Sequence, residues 1–196
     1  MNIIERVKNI ILTPKNEWSV IETEADGHMK VLTTYLMWLA AIPAIAAFIG
    51  YGIIGFNVLG IHIGSLALGI KQAIMQYIVI IGGAYLSAFV FDLLAPNFEG
   101  KKNFDRAFQL AAYSYTPICL GGIFYIHFSL SFLTLLAGLY AFYLLYLGVK
   151  PMMKIPNHKT TSYFVVSLLA MLIVFFVLGA IIGAIIGVGS VTQMMR

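Results

Sequence analysis

The sequence predicts an all-α membrane protein, a polytopic bundle of five transmembrane helices preceded by a short amphipathic N-terminal arm. Three observations support this class: the composition, the length of the uncharged segments and the placement of the basic residues. Of the 196 residues, 61% are hydrophobic and only 10% are charged, and the mean hydropathy is +0.93. Soluble domains contain about 25% charged residues. The composition therefore excludes an ordinary soluble domain and indicates a single membrane-embedded unit.

The apolar segments are long enough to place the spans. A helix needs about 20 apolar residues to cross the hydrocarbon core. The stretch 107–149 has no charged residue and is about twice that length, so we expect it to fold back at Tyr125–Ser129. The predicted spans are residues 31–51, 72–95, 107–125, 129–149 and 162–188. Residues 1–30 then form a cytosolic amphipathic arm, and residues 31–196 form the transmembrane domain.

Residues 52–70 decide whether the chain crosses five or six times, because this apolar stretch is interrupted by five glycines. With five crossings and a cytosolic N-terminus, ten of the twelve basic residues lie in the cytosol. A sixth crossing would divide the basic residues equally between the two sides. Because basic residues in short loops favour the cytosol, we predict five crossings and an external C-terminus. Residues 52–70 then form an external loop, either free or lying in the interface.

The segment DLLAPNFEGKKNFDRA, Asp92–Ala107, concentrates three acids and three bases between two apolar segments. The charge count places it in the cytosol as a short turn. Pro96 ends the second helix, Asn103 can cap the third, and Asp105 in the first turn is favoured by the helix dipole. The basic residues hold this turn at the anionic inner leaflet.

The N-terminal arm is predicted to form two short helices. In NIIERVKNIIL, one helical face carries Ile3, Val7, Ile10 and Ile11, and the charged residues lie elsewhere. Thr13 followed by Pro14 is typical of a helix start. The second helix carries Trp18, a candidate anchor in the membrane interface. Two interpretations are open: an arm packed on the bundle, or a docking surface for a partner.

Asp92 is the only acidic residue within a predicted span. Carboxylates inside a membrane often mark ion or proton paths. However, Asp92 lies near the end of its segment, about one helical turn from water. We therefore expect it to pair with Arg106 or Lys101 at the interface.

The most polar part of the predicted interior is QLAAYSYTPICLGG, residues 109–122. Tyr113, Ser114 and Thr116 precede Pro117, which removes a helical hydrogen bond that nearby hydroxyls can replace. A broken polar helix can line a cavity, as in transporters. The alternative, which we favour, is hydrogen bonding between packed helices.

The last span contains GAIIGAIIG, in which three glycines follow one another at every fourth position. This strip of small residues lets another helix approach closely. The neighbour can be internal or a second copy of the chain. The strip consists of Gly179, Gly183 and Gly187.

No catalytic or metal site is predicted. The sequence contains no metalloprotease, nucleophile-elbow or phosphate-loop motif. The four histidines divide two to a side, with His62 and His127 outside, and lack neighbouring ligands at metal-binding spacing. The single cysteine, Cys119, is expected to be a small buried apolar residue. We expect no cofactor and no nucleic-acid partner, since no basic run stands apart from the membrane flanks.

Several stretches together resemble the Yip family of Ypt/Rab-interacting membrane proteins, and most closely its compact bacterial inner-membrane branch. They are LTPKNEWSVIETE before the first span, AAIPAIAAFIG within it, FQLAAYSYTPICLGG in the third span and YLLYLGVKPMMKIP closing the fourth. The resemblance extends from about Leu12 to the end. It implies five spans with a cytosolic N-terminus, in agreement with the charge count.

Eukaryotic members of that family are linked to vesicle traffic and prenylated small GTPases. This sequence lacks their long N-terminal region and their Asp-Leu-Tyr-Gly-Pro type motif, so we do not expect GTPase binding. The resulting hypothesis is a non-enzymatic scaffold or adaptor in the inner membrane, with the lipid bilayer and other membrane proteins or further copies as partners. The alternative is a small-molecule, ion or lipid transporter or channel with a cavity near residues 113–117.

Overall fold

The computed structural model describes the backbone of residues 2–24, 26–58 and 61–194, and their side chains except at 58, 61, 128, 175 and 177–194. Within this part the fold is helical apart from one short β-hairpin, so the all-α class is confirmed. The α-helices are α1 Ile3–Leu12, α2 Pro14–Thr23, α3 His28–Val31, α4 Met37–Ala47, α5 Leu66–Leu94, α6 Phe104–Ser114, α7 Thr116–Gly121, α8 Thr134–Met153 and α9 Asn157–Met194.

Shorter segments connect these helices. Two π-helical segments flank α4, and three 3-10 segments follow α5, follow α7 and precede α8. The strands β1 and β2 pair antiparallel, with Phe56 opposite Ile63. The π segments are Leu32–Leu36 and Phe48–Ile54, the 3-10 segments are Ala95–Phe98, Gly122–Ile126 and Phe128–Leu133, and the strands are β1 Phe56–Val58 and β2 Ile61–Ile63.

Three helical stretches with described side chains are long and apolar enough to cross a membrane: His28–Ile54, Leu66–Phe98 and Ser129–Met153. They overlap the first, second and fourth predicted spans. The predicted third span, residues 107–125, is instead divided into α6, α7 and a 3-10 turn. The predicted fifth span lies within the long helix α9.

The prediction that residues 52–70 form a loop was too broad at both ends. Helical backbone continues to Ile54, and α5 already begins at Leu66. The early start has a local cause: the Ser65 hydroxyl accepts a hydrogen bond from the backbone N–H of Leu68, an N-cap. Between the two helices, Gly55 has a φ of +66°, a left-handed conformation that favours glycine and lets the hairpin begin.

The turn between α5 and α6 has the predicted helix start. The Asn103 side chain accepts a hydrogen bond from the Arg106 backbone N–H at 3.1 Å, as a helix N-cap should. The left-handed residue of the turn is Glu99, with a φ of +63°. The turn is also bound to the end of α8, because the Lys101 N–H donates to the Met153 carbonyl at 3.0 Å.

Helix α6 lies at the centre of the bundle. All eight residues from 107 to 114 are buried, and the helix contacts α3, α5 and α8. The arm helices α1 and α2 pack against α7 and α8 respectively. We call the end of the bundle with α2, the α5–α6 turn and the α8–α9 connection the arm end. We call the opposite end, with β1, β2 and the reversal near His127, the hairpin end.

Candidate functional site at the helix break

The break between α6 and α7 lies where the sequence places Pro117. Proline has no N–H, so the carbonyl four residues earlier, on Tyr113, loses its helical donor. The Thr116 hydroxyl donates to that carbonyl at 2.7 Å. The helix is therefore interrupted without leaving this buried carbonyl unpaired.

The polar side chains around the break are packed against protein. Thr116 is fully buried, and Tyr113 and Ser114 are nearly so. The Tyr35 hydroxyl of the first long helix lies 2.7 Å from the Thr116 hydroxyl, and the Tyr35 and Tyr113 rings meet edge to face at 4.8 Å. The Ser114 hydroxyl is buried and has no hydrogen-bond partner among the described residues.

An ion-pair cluster from the arm closes the break on one side. The Arg6 side chain, 6% exposed, lies 2.6 Å from the Glu17 carboxylate, which is 5% exposed, and also pairs with Glu24. Its guanidinium stacks over the Tyr113 ring at 5.4 Å from the centroid. Burial alone would lower the pKa of Arg6, but the hydrogen bond to Glu24 and the neighbouring negative charges outweigh it and raise the pKa. Arg6 therefore stays a cation beneath the break.

Sequence reasoning missed this cluster. It placed Arg6 on the polar face of α1, where a side chain would normally be solvated. The structure instead turns Arg6 inward and leaves Lys8 exposed. Because both are basic residues outside the apolar stripe, no local pattern distinguishes them.

Arg106 does not pair with Asp92, and the expected ion pair is wrong. Its guanidinium donates to the carbonyls of Ile21 and Glu22, each at 3.1 Å, and to the Gln109 side chain at 3.1 Å. These carbonyls belong to the last turn of α2, where helical carbonyls lack partners and cations are favourable. Arg106 therefore fastens the arm to the central helix.

Asp92 lies in the last turn of α5 and is 8% exposed. Among the described residues it forms no ion pair, and its Oδ1 atom is buried without a hydrogen-bond partner. At the neighbouring residue, the Phe91 carbonyl accepts a hydrogen bond from the Tyr163 hydroxyl of α9 at 2.7 Å. The predicted partner Lys101 lies on the exposed turn. Asp92 is therefore buried without a charged partner, instead of paired at the interface as predicted.

Trp18 is buried in the protein and does not lie in the interface as an anchor. It is 1% exposed, and its ring packs against Gly148 of α8. A Cβ at Gly148 would lie 2.6 Å from the Trp18 ring, so the glycine is required for this approach. Thr13 precedes α2 as predicted, but its hydroxyl bonds back to the Asn9 carbonyl and makes no cap.

The histidines fall at both ends. At the arm end, the ring and the backbone N–H of His28 lie 2.6 and 2.7 Å from the Asp105 carboxylate. The hydrogen bond from the His28 backbone N–H contributes most to lowering the pKa of Asp105, and the one from the His28 ring contributes next. At the hairpin end, His62 and His127 line one cleft of about 360 Å³. Among the described residues, no group of three or more His, Cys, Asp or Glu side chains is placed to hold a metal ion.

The glycine strip at Gly179, Gly183 and Gly187 lies in the part of α9 that is outside the described side chains. Its role in helix packing stays a prediction. Cys119 is fully buried in α7, as expected for a small apolar residue.

Comparison with known proteins gives one family. The Yip1 domain profile matches residues 8–193 of the chain. Two proteins named inner membrane protein YohC, from two strains of Escherichia coli, are each 30% identical to it over 156 residues. The aligned region covers 76% of this chain and 80% of each relative. No solved structure matches. With its long apolar helices, this multi-pass membrane protein belongs to the Yip1 domain family, as the sequence resemblance predicted.

Proposed function

We propose that this protein is a non-enzymatic scaffold or adaptor for other components of the inner membrane. The observation that supports this is the packed interior at the helix break. Two cavities flank the break, one of about 290 Å³ beside Arg6 and Tyr113 and one of about 200 Å³ beside Tyr115. Neither is lined by Ser114 or Thr116. A transport path through the break would require these polar groups to face a cavity.

The proposed contact surface is the outer side of the arm. Ile4 and Leu12 are 72% and 67% exposed, while the same helix is held in place by Arg6. A rigid element that presents apolar side chains suits either the membrane surface or a partner protein. The glycine strip of α9 is the second proposed contact.

Photocrosslinking tests this surface. A photoreactive residue at Ile4 or Leu12 should give discrete protein adducts in native membranes. The matched control is Phe132 at the hairpin end, which is 66% exposed. Adducts to lipid alone at all three positions would contradict the adaptor proposal.

The proposed topology has five crossings, a cytosolic N-terminus and an external C-terminus. In a Cys119→Ser background, Lys101→Cys should react with a membrane-impermeant maleimide only after the cells are opened. Asn57→Cys, at an exposed position of β1, should react in intact cells. Labelling of Lys101→Cys from outside would overturn the topology.

A transporter is the second candidate, and the observation that favours it is the buried, unpartnered Oδ1 of Asp92. The test is proton or ion flux in proteoliposomes, with the exposed Glu5→Gln as the control. Flux that disappears in Asp92→Asn but persists in Glu5→Gln would defeat the scaffold proposal. Absence of flux in the unaltered protein is the outcome the scaffold proposal expects.

A further inference from the structure

A basic cleft lies between α2 and the end of α8, separate from the helix break. Its volume is about 650 Å³, within the range of small-molecule sites. The polar lining residues are Lys15, Ser19, Glu22, Lys150 and Lys154, and the apolar ones are Trp18, Leu147, Pro151 and Ile155. Three cations thus face one carboxylate above an apolar wall.

The cations of the cleft are only partly neutralised. Lys154 pairs with Glu22. Among the described residues, neither Lys15 nor Lys150 has an ion-pair partner. Two free ammonium groups at one cleft favour an anionic ligand.

Trp18 supplies a second, independent observation. It lines the cleft, is 1% exposed, and its indole N–H is buried without a hydrogen-bond partner among the described residues. Buried donors without acceptors are rare in native proteins and call for a ligand or other acceptor. The Trp indole and the Lys ammonium are both hydrogen-bond donors, and a phosphate oxygen can accept hydrogen bonds from both.

We infer that this cleft binds the phosphate headgroup of an anionic phospholipid. The chemistry required is a phosphate, which a soluble phosphate compound could also supply. The lipid is favoured because Leu147 and Ile155 provide an apolar wall beside the lysines, as an acyl chain requires. The cleft also lies at the end of a membrane-length helix, where basic pockets meet lipid headgroups. The inference does not depend on the scaffold proposal.

Trp18 is itself the reporter for the experiment. The chain has two tryptophans. Trp38 is 68% exposed on the first long helix, so either brominated lipid would quench its fluorescence. The full chain with Trp38→Phe is placed in phosphatidylcholine nanodiscs containing brominated phosphatidylglycerol or brominated phosphatidylcholine. Trp18 fluorescence should be quenched at a lower mole fraction by the brominated phosphatidylglycerol. Equal quenching by both lipids would overturn the inference.

The double variant Lys15→Gln/Lys150→Gln tests the cleft. Its apparent affinity for phosphatidylglycerol should fall roughly thirtyfold, because two of the attracting charges are lost. The matched control is Lys101→Gln/Lys102→Gln, which removes the same charge from exposed positions at the same end. That variant should change the affinity by less than about twofold. Equal losses in the two variants would mean general attraction to the leaflet and would overturn the inference.

Two further measurements complete the test. Millimolar inorganic phosphate or glycerol 3-phosphate should leave the lipid preference unchanged, and full competition would assign the cleft to a soluble phosphate instead. The thermal unfolding midpoint of each variant is measured in parallel. Both lysines of the cleft variant are exposed and unpaired, so the fold should be retained.

Discussion

The two ends of the bundle are stabilised by different interactions. Every ion pair among the described residues lies at the arm end. There, Arg6 joins α1 to α2, and Arg106 bonds the end of α2 to α6. Asp105 of α6 bonds to His28 of α3. At the hairpin end, the described contacts are uncharged: they include close backbone packing and hydrogen bonds, such as the exposed one at 3.3 Å between Asn57 and His62. For example, Gly122 packs against Pro43.

This difference shows how the few charged residues are used. Basic residues that favour one leaflet cluster at one end. Acidic residues among them can form ion pairs and hydrogen bonds with defined geometry. These contacts fix the position of the N-terminal arm, which apolar packing alone would not define. The hairpin end lacks such pairs among its described residues and relies on shape. Changes of the same kind should therefore have larger effects at the arm end.

The largest effect is expected from Arg6→Ala. It leaves the Glu17 carboxylate buried without its partner, which typically lowers the free energy of unfolding by about 3–5 kcal/mol. Unfolding in detergent micelles measures the loss. The exposed control on the same helix, Lys8→Ala, should change little. Arg6→Met with Glu17→Leu removes both charges and should recover most of the loss. Equal effects of Arg6→Ala and Lys8→Ala would contradict the cluster's role.

Gly148→Ala comes next. The added methyl would lie 2.6 Å from both Leu110 and the Trp18 ring, and such overpacking typically costs about 1–3 kcal/mol. Gly138→Ala on the same helix is the matched control, because a methyl group added there would have no neighbouring atom within 4 Å among the described residues. It should be neutral or stabilising. If both substitutions have the same effect, then α2 is not packed tightly on α8.

The pH response of the arm end should be smaller. Since the pKa of Asp105 is lowered below its ordinary 3.8, its stabilisation is present above that pH and is lost as the pH falls through the lowered pKa. Asp105 is about half exposed, so the contribution should be under about 1 kcal/mol. Unfolding midpoints between about pH 6 and pH 2 measure it.

Asp105→Asn should reduce this acid-induced loss, whereas Glu5→Gln, an exposed acid without an ion pair among the described residues, should leave it unchanged. If the loss in acid is the same in Asp105→Asn as in the unaltered chain, the contact with His28 does not stabilise the fold.

The smallest effect is expected at the hairpin end. His62→Ala removes an exposed side chain with one weak hydrogen bond, and the free energy of unfolding should change by less than about 0.5 kcal/mol. A loss comparable to that of Arg6→Ala would remove the distinction between the two ends.

Much of the local structure could be predicted from the sequence. The Asn103 cap, the start of α2 at Pro14 and the helix interruption near Pro117 each depend on residues adjacent in the chain. The partners of Arg106 and Asp92 and the position of Trp18 were predicted wrongly. Arg106 bonds to residues about 85 positions away, and Trp18 packs on a residue 130 positions away. Hydrophobic periodicity carries no information about such distant pairings.

The sequence by itself determined the membrane class, the helical content and the family, because these follow from composition, segment length and local motifs. Only the tertiary structure decided that the arm is packed into the bundle, that Arg6 is buried, and that three lysines from two distant segments share one cleft. The physical reason is that burial and charge pairing depend on which helices meet, and that is a property of the packed bundle as a whole.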